Sequence, residues 1–132
     1  MAAHNLDLGR YGEEVAGSYL LEQGYRIRER NWRSRAGELD LVCTQDDCIV
    51  FVEVKTRTLD SMGHPLESLG FKQRRKLLRT AGMYLSRHNM WSRESRFDFI
   101  CITVGREVQI DHIQNALEFS SLGGGYSPWQ PW

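Results

Sequence analysis

Residues 50–57, VFVEVKTR, constrain this chain more than any other stretch. β-branched and aromatic residues in an unbroken run mark a strand buried on both faces, the kind found at the centre of a sheet. Yet the run carries a carboxylate, Glu53, and an ammonium, Lys55, two positions apart and therefore on one face. A strand made for burial accepts both charges only if something beside it neutralises or uses them.

The preceding residues supply a partner strand. GELDLVC, residues 37–43, alternates, with Leu39, Leu41 and Cys43 expected on one face and Glu38, Asp40 and Val42 on the other. The turn candidate QDD joins the two strands into a hairpin. With Asp46 and Asp47 as the loop residues, Asp40 stands opposite Glu53, with Cβ atoms about 4.5–5.5 Å apart. A three-residue loop would move one of the carboxylates to the other face. Around this hairpin the spacing predicts a helix over residues 6–23, a strand over 25–30, and a helix over 66–88 with its stripe at Leu77, Leu78, Ala81, Tyr84 and Leu85. Further strands are expected at 96–104 and 108–111, and a short helix at 112–119. One domain over residues 1–119 accommodates these elements. SSLGGGYSPWQPW, residues 120–132, reads as a flexible tail.

Two opposed carboxylates repel each other, and burial adds a desolvation cost. A divalent cation removes the conflict. Mg²⁺ takes one or two carboxylates, several waters and substrate phosphate oxygens, and Asp40, Glu53 and the Val54 carbonyl are suitable donors. Lys55 is then placed to stabilise charge on a phosphoryl group or orient an attacking water. The competing reading is a metal-free ion pair at the rim of a sheet.

GELDLV followed by VFVEVKTR, with 13 positions from Asp40 to Glu53 and a closing Glu-x-Lys, resembles the core of the PD-(D/E)xK nuclease superfamily. Over residues 9–119 the chain resembles more closely the YraN-like family of small bacterial proteins, similar in pattern to Holliday junction resolvases. The matching pieces are GEEVA, RNWRSRAGELDLV, VFVEVKTR, KQRRKLL, RFDFI and HIQNALEF. The resemblance implies an α/β fold, a restriction-endonuclease-like mixed sheet flanked by helices. It implies a site in which Asp40 and Glu53 bind Mg²⁺ or Mn²⁺, Lys55 assists the water, and Glu13 reaches in from the first helix as a further ligand or water-holder. The implied reaction is hydrolysis of DNA phosphodiesters, with branched or junction DNA among the substrates and a homodimer as the working form. Leu39 stands where the superfamily has proline before the aspartate, which weakens the signature without touching ligation.

The charge pattern bears on partners. Net charge is zero, but ten of the 17 basic residues lie in RIRERNWRSR and KQRRKLLR. Arg33, Arg35, Arg57, Lys72, Arg75 and Lys76 are the candidates for contact with nucleic-acid phosphates, with Trp32 able to stack on a base. A solvated arginine strand is the plainer alternative. Asp98, between aromatics, needs a partner such as Arg96 and reads as structural, and His64 reads as a turn residue. A catalytically inactive nucleic-acid-binding or scaffold module on the same fold is the second functional reading. A third is a homodimer whose basic helix contacts an acidic protein. Three cysteines without CxxC spacing favour reduced thiols over a disulfide framework or a zinc site. No apolar run approaches the roughly 20 residues of a membrane span, and the N-terminus lacks a signal-peptide pattern, so a cytoplasmic location is expected.

Overall fold

The computed structural model describes residues 2–60, 63 and 69–117, with side chains from residue 7 onward. The elements are α1 (Ala2–Glu22), β1 (Arg26–Ser34), β2 (Gly37–Gln45), β3 (Cys48–Thr58), α2 (Phe71–Arg87), β4 (Ser95–Val104) and β5 (Val108–Ile113). The strands form one sheet in sequence order, antiparallel except for the parallel β3–β4 pair, which α2 connects. This is the expected mixed sheet of an α/β fold. No helix among the described residues is long and apolar enough to cross a membrane.

Each face of the sheet has its own core, because β3 alternates its side chains between them. Ile49 and Phe51 join Leu77, Leu78, Ala81, Tyr84 and Leu85 beneath α2. Val50 and Val52 join Ala16 and Leu20 beneath α1. Glu53, next in the alternation, falls on the α2 side. The helix stripe read from the sequence is therefore the stripe that is buried.

The β2–β3 register is that of a two-residue turn, running from Gln45↔Cys48 to Leu41↔Val52. Asp46 takes φ +53°, a left-handed conformation aspartate tolerates better than most residues. The alternation of β2 departs from expectation: Leu39 packs on the α2 side, whereas Leu41 and Cys43 pack on the α1 side. The paired register ends at Leu41, and Val54 N–H donates to the Asp40 carboxylate at 2.8 Å. The strand turns over at Asp40, which is why period-two reasoning failed there.

Two further expectations are corrected. Leu69 and Gly70 are not helical, and α2 starts at Phe71 with Gly70 extended at its N-cap (φ −74°, ψ 166°). The short helix expected at 112–119 is absent over its described part: His112 and Ile113 extend β5, and Asn115 takes φ +52°, outside the right-handed helical region. Their placement follows from Asp98, which is fully buried on β4. Its carboxylate accepts from Arg96 Nε (2.9 Å), His112 Nε2 (2.8 Å) and Asn115 N–H (3.2 Å). Those bonds tie β5 and the following turn to β4, and the structural reading of Asp98 holds. His64 and the tail at 120–132 lie outside the described residues.

Candidate metal and phosphate site

Glycine brings α1 to the hairpin. A Cβ on Gly12 would lie 1.7 Å from Thr56 Oγ1, so only glycine lets the helix approach β3 this closely. The next residue, Glu13, is thereby set beside Asp40. Gly37 does the same for α2: it has φ +154°, and a Cβ there would meet Thr80 Oγ1 at 2.8 Å and Lys76 Cε at 3.0 Å. Both helices thus close on the hairpin at the point where β2 leaves β3.

Asp40 and Glu53 lie together there, and Glu13 and Glu38 are near enough for their charges to act on the pair. Asp40 and Glu53 come close enough for one carboxyl group, when protonated, to donate a hydrogen bond to the other. Burial, then the charge of Asp40, then that hydrogen bond push Glu53 up to about 9, with Glu13 and Glu38 adding to the effect. Burial also raises Asp40, against the hydrogen bonds from Glu53 and Val54 N–H, which favour its charged form. Burial and the charge of Asp40 raise Glu13 as well. Burial and mutual repulsion thus disfavour two negative charges on this pair unless a cation neutralises them.

Two residues that sequence reasoning did not select hold this arrangement. Asn31, at φ +52°, with its amide nitrogen turned to the carboxylates, donates to Glu13 Oε1 (3.1 Å) and Glu38 Oε1 (3.2 Å). Gln73 Nε2 lies 3.5 Å from Glu53 Oε2. Asn31 sits among arginines and Gln73 among lysines and arginines, so neither stood out; a polar residue in a basic run was the available signal. Glu38 is half-exposed at the rim and pairs with Arg33 at 3.5 Å.

Beside the carboxylates lies a pocket of about 390 Å³ lined by Glu38, Glu53, Lys72, Gln73, Lys76 and Leu77. Lys55 is exposed on β3, one strand repeat beyond Glu53. Arg35, Lys72, Arg75 and Lys76 gather around α2. Arg57 does not join them: its Nε donates to Thr103 Oγ1 (3.2 Å) and its Nη1 to Gly63 O (3.0 Å). Arg33 is taken by Glu38. The Trp32 ring is engaged internally, edge-on to Tyr84 at 5.2 Å and beneath the Arg87 guanidinium at 5.6 Å.

The donor set suits a hard cation. Among the described residues no group of three or more His, Cys, Asp or Glu is arranged to hold a metal. The close acidic pair is Asp40 and Glu53, and two carboxylates are what Mg²⁺ takes when water and phosphate complete its octahedron. The N–H and C=O of a strand residue face the same neighbour, so the Val54 carbonyl is directed toward β2 alongside the N–H that Asp40 receives.

The model of uncharacterised protein family UPF0102 matches residues 12–102. The chain is 41% identical over 126 residues to a UPF0102 protein of Nitratidesulfovibrio vulgaris (strain DP4), covering 94% of each. It is 46% identical over 119 residues to a UPF0102 protein of Rhodococcus opacus (strain B4), covering 86% of this chain and 98% of that one. These matches bear out the resemblance to the YraN-like group of PD-(D/E)xK pattern. Among solved structures, Pyrococcus furiosus SfsA in complex with Ca²⁺ aligns at TM-score 0.36 and 14% identity, over 83% of this chain and 63% of that one.

Proposed function

We propose that this chain, which belongs to the uncharacterised protein family UPF0102, is a metal-dependent endonuclease that hydrolyses phosphodiester bonds of DNA, branched or junction DNA included. The observation that carries the reading is the close Asp40–Glu53 carboxyl pair, with Glu53 lining a pocket shared with Lys72 and Lys76. Two carboxylates held together at the edge of a core are unfavourable in isolation and become useful when they hold a cation against a polyanion.

Asp40, Glu53 and the Val54 carbonyl are the groups that would hold Mg²⁺ or Mn²⁺. The bound metal would supply Lewis acidity toward a phosphoryl oxygen and a more acidic water. Asp40 is oriented by the hydrogen bond that its Oδ2 accepts from Val54 N–H. Gln73 steadies Glu53 from α2. Lys55 offers a mobile ammonium on the Glu53 side of β3, where it stabilises the charge that builds on the scissile phosphate. Glu13, positioned by Asn31, is the group that would hold a water beside Asp40.

The test is cleavage of labelled linear, flapped, single-stranded and four-way-junction DNA with Mg²⁺ or Mn²⁺, using wild type, Glu53→Gln and Lys55→Ala. Metal-dependent cutting that disappears in both variants supports the nuclease and identifies its preferred substrate. Folded protein that binds some of these DNAs and cuts none supports the inactive binding module instead.

A further inference from the structure

A second groove lies beside the carboxylate pocket along α2. Arg35 and Ala36, at the β1–β2 turn, form one wall; Lys72, Arg75, Lys76 and Arg79 of α2 form the other, around about 460 Å³. Lys72 and Lys76 line both spaces, so the groove adjoins the pocket that Glu53 lines. Positions 72, 75, 76 and 79 share one side of the helix, with successive turns about 5.4 Å apart. All five basic side chains are exposed, and among the described residues none of them is in an ion pair. A chain of zero net charge has thus collected uncompensated cations along one track, which is the arrangement that attracts a polyanion.

Phe71 indicates which polyanion. It opens α2 next to Lys72, is 62% exposed, and has the Arg75 guanidinium 5.7 Å from its ring centroid. An exposed aromatic beside a cationic groove is a stacking platform for a base that has no partner. A duplex keeps its base faces covered and brings two backbones, whereas this groove has one row of cations on the helix and only Arg35 opposite. We infer that the groove between the β1–β2 turn and α2 holds the backbone of one unpaired nucleic-acid strand, with a base stacked on Phe71, and leads it past Lys72 and Lys76 to the carboxylates. What happens at the carboxylates rests on the nuclease reading; binding in the groove does not.

The test is fluorescence anisotropy in EDTA, where nothing is cut, with a labelled single strand, the duplex of the same sequence, and polyglutamate as an acidic polypeptide. Wild type is expected to bind the single strand at least tenfold more tightly than either other probe. Arg75→Gln/Arg79→Gln should weaken that binding about tenfold or more. It should also reduce the slope of log affinity against log salt by about 1.4, two phosphate contacts at roughly 0.7 each. Phe71→Ala should weaken binding and leave the slope unchanged. Arg26→Gln/Arg106→Gln, exposed and outside the groove, is the control and should bind as wild type. The inference is overturned by equal or tighter duplex binding, by a control loss matching that of the groove variant, or by polyglutamate binding as tightly as the strand, which would assign the groove to an acidic protein. Protein that binds as described yet cuts no DNA leaves the inference standing and removes the nuclease. Cutting by protein whose groove variants bind like wild type removes the inference alone.

Discussion

Val54 N–H donates to Asp40 Oδ2 at 2.8 Å, so a side-chain carboxylate takes the place of a strand carbonyl where β2 leaves β3. One residue therefore closes the backbone ladder and presents a negative charge to Glu53. The two roles separate by substitution. Asp40→Asn retains an acceptor for Val54 N–H and removes the repulsion with Glu53, so its urea midpoint should equal or exceed that of wild type while calorimetric Mn²⁺ binding is lost. Asp40→Ala leaves the N–H without its partner and should cost about 1–3 kcal/mol. If Asn destabilises as much as Ala, the account of Asp40 as a backbone acceptor fails.

Lys55 should separate chemistry from metal binding. It is exposed and removed from the carboxylate pair, so Lys55→Ala should leave Mn²⁺ affinity within about twofold of wild type. If its ammonium stabilises developing charge, kcat should fall by roughly 10²–10³, the usual loss for one transition-state donor. Cleavage by Lys55→Ala at the wild-type rate would reduce the lysine to a surface charge.

Gly12 should matter out of proportion to its size. A Cβ there would overlap Thr56 Oγ1, and α1 cannot give way without moving Glu13 from its place near Asp40. Gly12→Ala should cost about 1–3 kcal/mol through overpacking and lower cleavage beyond what the loss of folded protein explains. Gly9→Ala, with open space around the glycine, is the matched control and should be neutral or stabilising. Equal behaviour of the two variants in thermal melts would contradict the close α1–β3 contact.

What the sequence revealed and what it hid have physical causes. The β2–β3 register was legible because a two-residue turn fixes pairing locally, and α2 because five apolar side chains repeat at helical spacing. The face switch at Asp40 was not legible, because a carboxylate substituting for a carbonyl leaves no mark on hydrophobic alternation. Nor was the extension of β5 through Ile113, since the bonds of His112 and Asn115 to Asp98 span 14 and 17 positions. Glu13 was selected only through family resemblance: its approach to Asp40 depends on Gly12 and Thr56, which are far apart in the chain. Asn31 and Gln73 were missed because their role is to orient carboxylates that had first to be brought together.

The buried Asp98 network should set the acid limit of the fold. Burial alone would raise this carboxyl, but hydrogen bonds from His112, Arg96 and the Asn115 N–H, with the charge of Arg96, outweigh it and hold Asp98 below its usual range. A carboxylate with a depressed folded-state pKa stabilises the fold fully above its unfolded value, about 3.9. That stabilisation is lost as pH falls through the lower folded value. Asp98→Asn removes the charge while Arg96, whose side chain is only 17% exposed, stays in place without its carboxylate. Such a break in a buried pair costs about 3–5 kcal/mol. Urea titrations at pH 7 should show that gap, and titrations near pH 3 a smaller one, because below about 3.9 the unfolded chain's carboxyl takes up a proton and part of the stabilisation is lost. A gap of the same size at both pH values would mean that the packing of Asp98, and not its charge, holds β5 to β4.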